Sequence, residues 1–190
     1  MTGEKTTSAT REPGFARRMR WVTVLYFAEG FPYGVFREVW SVYFRTAGVS
    51  LKEIGLMDLL GLPWAIKPLW APLVDRYGDR RHWIASCLLV MAVLLAIHPL
   101  FDASSLTVGF WLVLLLFTLA SATQDIAIDA HTIAFLPKEE VGAANGIRVS
   151  AYRVAMIASG GGIVLAAEFF GWPAMWVAAG LVLGALAAIV

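Results

Sequence analysis

The stretch "LTVGFWLVLLLFTLASATQDIAIDAH", residues 106–131, places two carboxylates at the end of a long apolar run. Its first part, residues 106–120, contains no charged side chain, which is typical of a helix that crosses a membrane. Asp125 and Asp129 follow four residues apart, so on a helix they share one face with Thr118, Ser121 and Thr132. An intramembrane carboxylate is costly unless it faces a partner or a water-filled cavity. The stretch therefore predicts a membrane helix whose polar face is turned toward the protein interior.

The composition of the whole chain also indicates a membrane protein. Hydrophobic residues make up 59% and charged residues 15% of the 190 residues, and the mean hydropathy is +0.70. These values are far from those of soluble domains. We expect an all-α membrane protein with a polar cytoplasmic tail over residues 1–20 and a bundle of six transmembrane helices over residues 21–190. The predicted helices are approximately 21–46, 51–74, 82–101, 107–135, 143–168 and 172–190, each near the ~20 residues that a span needs.

The distribution of basic residues predicts the orientation of the bundle. Lys and Arg concentrate in cytoplasmic loops of membrane proteins. Here they occupy the tail, the connection after the second predicted helix and the connection after the fourth: Lys5, Arg11, Arg17, Arg18, Arg20, Arg76, Arg80, Arg81, Lys138 and Arg148. The opposite connections contain only Arg45 and Lys52. We therefore expect a cytoplasmic amino terminus.

Several functional classes find no support in the sequence. The net charge of +1 gives no indication of nucleic-acid binding. The single cysteine, Cys87, cannot form an intrachain disulfide, and the three histidines lack the spacing of metal ligands. No nucleophile with a base at motif spacing is present, so an enzyme is not expected. We predict neither a metal nor a cofactor.

The sixth predicted helix ends at Val190 without a charged or polar flank. Membrane helices normally end in an interfacial anchor. We expect the chain to be a fragment, and a complete small protein of six helices is the alternative.

Residues 68–83, "PLWAPLVDRYGDRRHW", resemble the loop between the second and third helices of the major facilitator superfamily, whose pattern is roughly G-x-L-A-D-R-x-G-R-R. The matching residues are Leu73, Asp75, Arg76, Gly78, Arg80 and Arg81. Ala71 replaces the first glycine, and Asp79 replaces one basic residue. A carboxylate in such a turn can cap a helix amino terminus, while the arginines meet helix carbonyl ends or anionic headgroups. The alternative is that the arginines only enforce topology.

Three further segments are similar to the AmpG muropeptide permeases and the related acetyl-coenzyme A transporters of the same superfamily. They are "EGFPYG" at 29–34, "KPLWAPLVDRYGDRRHWI" at 67–84 and "ATQDIAIDAHTIAFLPKEEVGAANGIRVSAYRVAMIASGGG" at 122–162. The most specific matches are Gln124, Asp125, Asp129, Tyr152 and Arg153. The resemblance implies the amino-terminal half of a two-half transporter in the cytoplasmic membrane of a bacterium, with the lipid bilayer around it. The missing carboxy-terminal half, or a second subunit, would complete it.

Charged residues inside neighbouring predicted helices match in depth. In antiparallel helices joined by a short turn, residues equally far from the turn lie at the same depth. This rule predicts four pairs: Asp125 with Arg153, Asp129 with Arg148, Glu29 with Lys67, and Arg37 with Asp58. Glu38 is left without a counterpart. Either the pairs only neutralise one another so that the helices can insert and pack, or some open and close during transport or contact the substrate.

Combined with the resemblance, these pairs give hypotheses for individual residues. The substrate or proton pathway is expected to contain Arg37, Glu38, Lys67, Asp125 and Arg153. Lys67 and Arg37 are candidates for binding an anionic solute, and Asp125 or Glu38 for accepting a proton. Residues expected to hold the helices together and to take part in gating are Glu29, Asp58, Asp75, Arg76, Gly78, Arg80, Arg81, Asp129 and Arg148.

Local features of the other helices complete the prediction. Pro63, Pro68 and Pro72 should kink the second helix. His98 is expected at the membrane interface, and Trp64 lies deep enough to line a cavity.

The leading functional hypothesis is a secondary transporter that takes up an anionic solute such as a muropeptide, with protons as the coupling ion. The alternative is a membrane scaffold that does not transport, or a half-size unit that needs a partner half.

Overall fold

The computed structural model describes residues 13–190, and this part of the chain is helical without any strand. The first part of the predicted tail, including Lys5 and Arg11, lies outside the described residues. Six successive helical segments, here α1 to α6, follow one another between short connections.

The first two segments are irregular. α1 consists of an α-helix, Pro13–Gly34, a π-helical turn, Val35–Val39, and a second α-helix, Trp40–Thr46. The π turn begins three residues after Pro32, which has no backbone N–H to donate. α2 covers residues 51–76 and is broken by two 3₁₀ turns. Its parts are Leu51–Leu56, the 3₁₀ turn Met57–Gly61, Leu62–Ile66, the 3₁₀ turn Lys67–Leu69, and Ala71–Arg76.

The breaks in α2 follow its prolines. Pro63, Pro68 and Pro72 each lie in the first turn of one of its short segments, where a missing N–H costs least. The predicted distortion at these prolines is present, but it takes the form of breaks between short helical segments rather than kinks in one helix. One break falls at Lys67, so this side chain leaves the backbone from a 3₁₀ turn.

The remaining segments are longer. α3 is Arg80–Ala96 with a 3₁₀ turn His98–Leu100, and α4 is Val108–Phe135. α5 starts with the 3₁₀ turn Lys138–Glu140 and contains Val141–Ile157, the π turn Ala158–Gly162 and Ile163–Phe170; α6 is Trp172–Ile189. Side-chain caps define where α3 and α4 begin. The side chain of Asp79 accepts a hydrogen bond from the backbone N–H of Arg81, and the side chain of Thr107 accepts one from the backbone N–H of Phe110.

Within residues 13–190, four helices are long and apolar enough to cross a membrane, so the chain is a multi-pass membrane protein. They are Arg80–Leu100, Val108–Phe135, Lys138–Phe170 and Trp172–Ile189. In α1 the apolar sequence is interrupted by charged residues, and in α2 the helix itself is interrupted. That α1 and α2 also cross the membrane stays a prediction.

Three close helix contacts organise the bundle: α1 lies against α5, and α3 lies against both α4 and α6. Gly30 and Gly34, four residues apart on α1, face Ala155 and Ser159 on α5. A methyl group on Gly30 would lie 2.6 Å from the carbonyl oxygen of Tyr152. Small residues at this spacing allow membrane helices to approach closely. The segment "GFPYG" is therefore a packing motif between α1 and α5.

The two ends of the bundle differ in chemistry. The basic end contains residues 13–20 and the connections at 77–79 and 136–140. There Arg18 donates to both carboxylate oxygens of Glu140, with Nε at 2.7 Å from Oε2. Arg81 lies 5.4 Å from the ring of Trp21. These contacts connect the start of α1 to α3 and to the turn before α5.

The opposite end contains an aromatic cluster, which we define as Trp40, His98, Phe110 and Trp176. The ring of His98 lies 4.6 Å from that of Trp176, 5.4 Å from Phe110 and 6.0 Å from Trp40. His98 is fully buried and lies near the end of the span Arg80–Leu100, so its ring faces the bundle, while its level at the membrane interface stays a prediction. The 3₁₀ turn at the end of α3 directs the ring inward, and Nδ1 donates to the carbonyl of Leu94 at 2.8 Å.

Candidate functional site

The polar face of α4 points into the bundle, as its spacing predicted. Thr118, Ser121, Asp125 and Thr132 are all buried, and Asp129 is partly buried. Gln124, beside Asp125, is also buried, and its amide nitrogen donates to the carbonyl of Ala28 on α1 at 3.1 Å. This hydrogen bond fixes the polar face of α4 against α1.

Three carboxylates meet between α1 and α4. Single oxygens of Glu29, Asp125 and Asp129 lie within 4.8 Å of one another. We define the charge cluster as these three acids together with the two bases that contact them, Lys67 and Arg148. Like charges at this spacing repel one another strongly in a medium of low dielectric constant, so the two bases are needed to hold the acids together.

Lys67 is the base that contacts Asp125. Its Nζ donates to Oδ2 of Asp125, and the two side chains are 29% and 10% exposed. One turn away, the indole N–H of Trp70 donates to the hydroxyl of Thr123 at 3.2 Å. These two hydrogen bonds attach the broken part of α2 to α4.

Two of the predicted charge pairs are therefore wrong. Asp125 pairs with Lys67 rather than with Arg153, and Glu29 lies with the two aspartates rather than in an ion pair with Lys67. Arg153 is exposed and forms no ion pair with any of the residues from 13 to 190. Equal depth fixes the height of a residue along the bundle but leaves its direction around the helix axis undetermined. The break at Lys67 directs this side chain toward α4.

The other two predicted pairs are confirmed as contacts. Arg148 on α5 lies 2.9 Å from Asp129. The hydroxyl of Tyr26 donates to the same carboxylate oxygen at 2.9 Å, and the guanidinium of Arg148 lies 4.5 Å from the ring of Tyr26. Toward the basic end, Tyr26, Thr132, Asn145 and Arg148 line a cavity of about 330 Å³. Two residues of this wall, Tyr26 and Arg148, contact Asp129 directly.

The pair of Arg37 and Asp58 is also present, at 3.3 Å, but the two side chains are 47% and 78% exposed. An exposed pair of this kind contributes little to stability. Glu38 is exposed and packs against Gly160 on α5. It has no ion-pair partner within the described part of the chain. These three residues lie apart from the charge cluster on the surface of the bundle.

Aromatic rings border the charge cluster on the side of α2 and α5. Tyr33 lies 5.2 Å from Trp64 and 5.9 Å from Tyr152, and Phe36 stacks on Trp64 at 5.1 Å. Trp64 is half-buried, so one part of its surface remains accessible. Rings that are packed on one side and accessible on the other are suited to contacting a bulky solute.

The connection between α2 and α3 is a short turn with a capping carboxylate, but a different acid from the one in the motif provides the cap. Asp79 caps α3, and its Oδ1 accepts from the backbone N–H of Arg81 at 3.1 Å. Gly78 has a φ of +81°, a conformation that favours glycine. Asp75 lies 3.8 Å from Arg80. Asp79 is thus the residue that performs the capping role, although it departs from the pattern of the motif.

Sequence comparison with known proteins agrees with this architecture. A family model described as Major Facilitator Superfamily matches residues 22–190. The chain belongs to the major facilitator superfamily. It is 34% identical over 169 residues to the anhydromuropeptide permease of Escherichia coli K12, covering 84% of this chain and 34% of that protein. It is 31% identical over 159 residues to the putative transporter AmpG 4 of Rickettsia conorii, covering 79% of this chain and 38% of the relative.

A third relative, an uncharacterized protein of Haemophilus influenzae, is 34% identical over 163 residues, which is 83% of this chain and 38% of the relative. The chain thus spans between a third and two fifths of the length of these relatives. The matched family and the named permeases are transporters and not enzymes.

Tyr26 is the residue of the site that the sequence analysis missed. Its sequence signal was present, because Tyr26 lies three residues before Glu29 and therefore on the same face of α1. The membership of Lys67 in the site was predicted, but its partner was not.

Proposed function

We propose that this chain forms the amino-terminal part of a secondary transporter that takes up an anionic solute, such as a muropeptide, with protons as the coupling ion. The observation that carries the proposal is the buried contact between Lys67 and Asp125, inside a bundle of membrane helices. Burial of ionisable residues in a membrane protein is expensive and is typical of substrate and ion pathways.

The position of the charge cluster supports a binding role. Lys67 is 29% exposed, so it can contact a solute while it holds Asp125, and the rings of Trp64 and Tyr33 lie alongside. An ammonium group and exposed aromatic surface are suited to a solute that has both an anionic group and a bulky body. The name of the Escherichia coli relative, anhydromuropeptide permease, agrees with such a solute.

Other charged residues have proposed roles outside the cluster. Arg37, Glu38 and Arg153 are accessible and would contribute charge to the surface that the second half of the transporter faces. At the basic end, Arg18 with Glu140 and Arg148 with Asp129 attach α1 and α4 to α5. Gating would open these contacts, together with those of Asp75, Arg76, Gly78, Arg80 and Arg81 in the connection between α2 and α3.

We propose that the basic end lies in the cytoplasm of a bacterial cell, in the cytoplasmic membrane. The excess of Lys and Arg at this end supports the orientation. Single cysteines introduced at the exposed positions Ser50 and Asp79, after replacement of Cys87, test it. A membrane-impermeant thiol reagent added to intact cells should label position 50 and leave position 79 unlabelled. Labelling of position 79 alone would reverse the orientation.

Uptake of labelled muropeptide by cells that express the complete gene product tests the function. Uptake should exceed that of cells without the gene, and a protonophore should abolish the excess. Uptake that persists with the protonophore would exclude proton coupling but keep transport. Absence of any excess at normal membrane abundance would contradict transport of this solute.

A further inference from the structure

When all of its groups are ionised, the charge cluster has three negative and two positive charges and is therefore not neutral. Three carboxylates lie within 4.8 Å of one another, and two bases contact them. Lys67 forms an ion pair with Asp125, and Arg148 forms an ion pair with Asp129. One negative charge is left without a compensating base, and it belongs to Glu29.

The environment of Glu29 makes this charge expensive. Although the residue is partly accessible, its Oε2 atom is buried and has no hydrogen-bond partner among the described residues. Burying an ionised carboxylate without a partner is strongly unfavourable, and such a group takes up a proton instead. A protonated carboxyl group becomes a donor, and Asp125 is the acceptor within reach.

Among residues 13–190, no other group around Glu29 can supply the missing positive charge. Tyr26 and Tyr33 on its own helix and Tyr152 on α5 are phenols, which have no cationic form. α4 presents only the two aspartates, with Gln124 already bonded to α1. The bases that face the cluster are Lys67 from α2 and Arg148 from α5, and each already has an acidic partner.

We propose that Glu29 binds a proton and shares it with Asp125, which makes the carboxyl group of Glu29 the proton-binding site of this chain. This proposal deepens the proton coupling of the proposed function and rests on it for its role in transport. With the proton bound, the charge cluster is neutral and each base keeps its own aspartate. Loss of the proton makes Glu29 an additional anion that competes with Asp125 and Asp129 for the two bases. Protonation therefore stabilises the contacts of α4 with α2 and α5.

Infrared spectroscopy of the purified complete protein in lipid tests the protonation itself. A protonated carboxyl group has a C=O stretching band that a carboxylate lacks. We expect such a band at neutral pH in the wild type, its loss in Glu29→Gln, and its retention in Glu38→Gln, which removes an exposed acid of the same helix. A band that survives in Glu29→Gln, or the absence of any such band from the wild type, would overturn the proposal.

Two controls separate the alternatives. Glu29→Gln is a neutral mimic of the protonated group, so its melting temperature at neutral pH should be no lower than that of the wild type; a large decrease would indicate an ionised Glu29 and contradict the proposal. A wild-type band that disappears when sodium chloride replaces choline chloride would show a sodium site, which also contradicts it. If the band behaves as expected but uptake does not respond to a protonophore, Glu29 is protonated and the proposed coupling is wrong.

Discussion

The charge cluster and the aromatic cluster lie in the same bundle but are held together by different forces. The aromatic cluster joins α1, α3, α4 and α6 through ring packing, and its four members are fully or almost fully buried. The charge cluster joins α1, α2, α4 and α5 through ion pairs, and Lys67, Asp129 and Arg148 remain partly accessible. Packed rings have one good arrangement, whereas charges can exchange partners when protons or solutes arrive. The comparison predicts a rigid region at one end and a region that changes state beside it.

The largest effect on stability is expected from Trp176→Ala. Trp176 is fully buried and contacts His98, Tyr43 and Trp172, so its removal leaves a large cavity. We expect a loss of about 3 kcal/mol or more. The measurement is thermal unfolding of the purified protein, with Val177→Ala at an exposed position of the same helix as the control.

The uptake rate per folded transporter molecule shows whether Trp176→Ala affects transport as well as stability. Molecules of Trp176→Ala that reach the membrane folded should transport at a rate close to that of the wild type. Normal stability together with lost uptake would place the aromatic cluster in the transport mechanism and remove the distinction between the two regions.

A smaller effect is expected from Gly34→Ala at the contact between α1 and α5. The added methyl group would overlap Ser159 Oγ and lie 3.0 Å from Met156 Cα, so the two helices must separate. We expect a loss of about 1–3 kcal/mol. Gly146→Ala on α5 is the control, since a methyl group there meets no atom within 4 Å. Equal stability of the two variants would contradict the close packing of "GFPYG".

The smallest effect is expected from Arg37→Gln, which removes the exposed partner of Asp58. The two side chains are 3.3 Å apart but 47% and 78% exposed, so the loss of the pair should cost less than about 1 kcal/mol. Thermal unfolding measures this cost. A decrease in uptake without a decrease in stability would support the proposed contact of Arg37 with the solute, whereas a large decrease in stability would show that depth-matched pairs on the surface hold the bundle together.

The sequence predicted the height of each charged residue along the bundle better than the direction in which its side chain points around the helix axis. The polar face of α4, the distortion of α2 and the contact of Asp129 with Arg148 followed from spacing and from proline chemistry. The partners of Asp125 and Glu29 did not, because the pairing rule considered only helices that follow one another in the chain. In the structure, α4 contacts α2, and α1 contacts α5. The pairing rule compares how far two residues lie from the turn that joins their helices. It therefore cannot predict contacts between helices that are not consecutive in the chain.

The position of His98 illustrates the same limit. A histidine before a proline at the end of an apolar run is typical of an interface, yet the 3₁₀ turn directs the ring into the bundle. Tyr26, likewise, could be assigned to the face of Glu29, but its hydrogen bond to Asp129 depends on the packing of α1 against α4.

The proposed transport role of the charge cluster depends most on the contact between Lys67 and Asp125. Uptake of labelled muropeptide by the Asp125→Asn variant tests this role directly. The substitution leaves the ammonium of Lys67 without its partner inside the bundle and removes the acceptor of the Glu29 proton. Glu168→Gln, which changes an exposed acid of α5 with no proposed role, is the control. At equal membrane abundance, we expect at least about a tenfold loss of uptake in Asp125→Asn, corresponding to 1.4 kcal/mol, and near wild-type uptake in Glu168→Gln. Uptake at the wild-type rate by Asp125→Asn would show that the charge cluster only packs the helices, and it would contradict the transport role assigned to it.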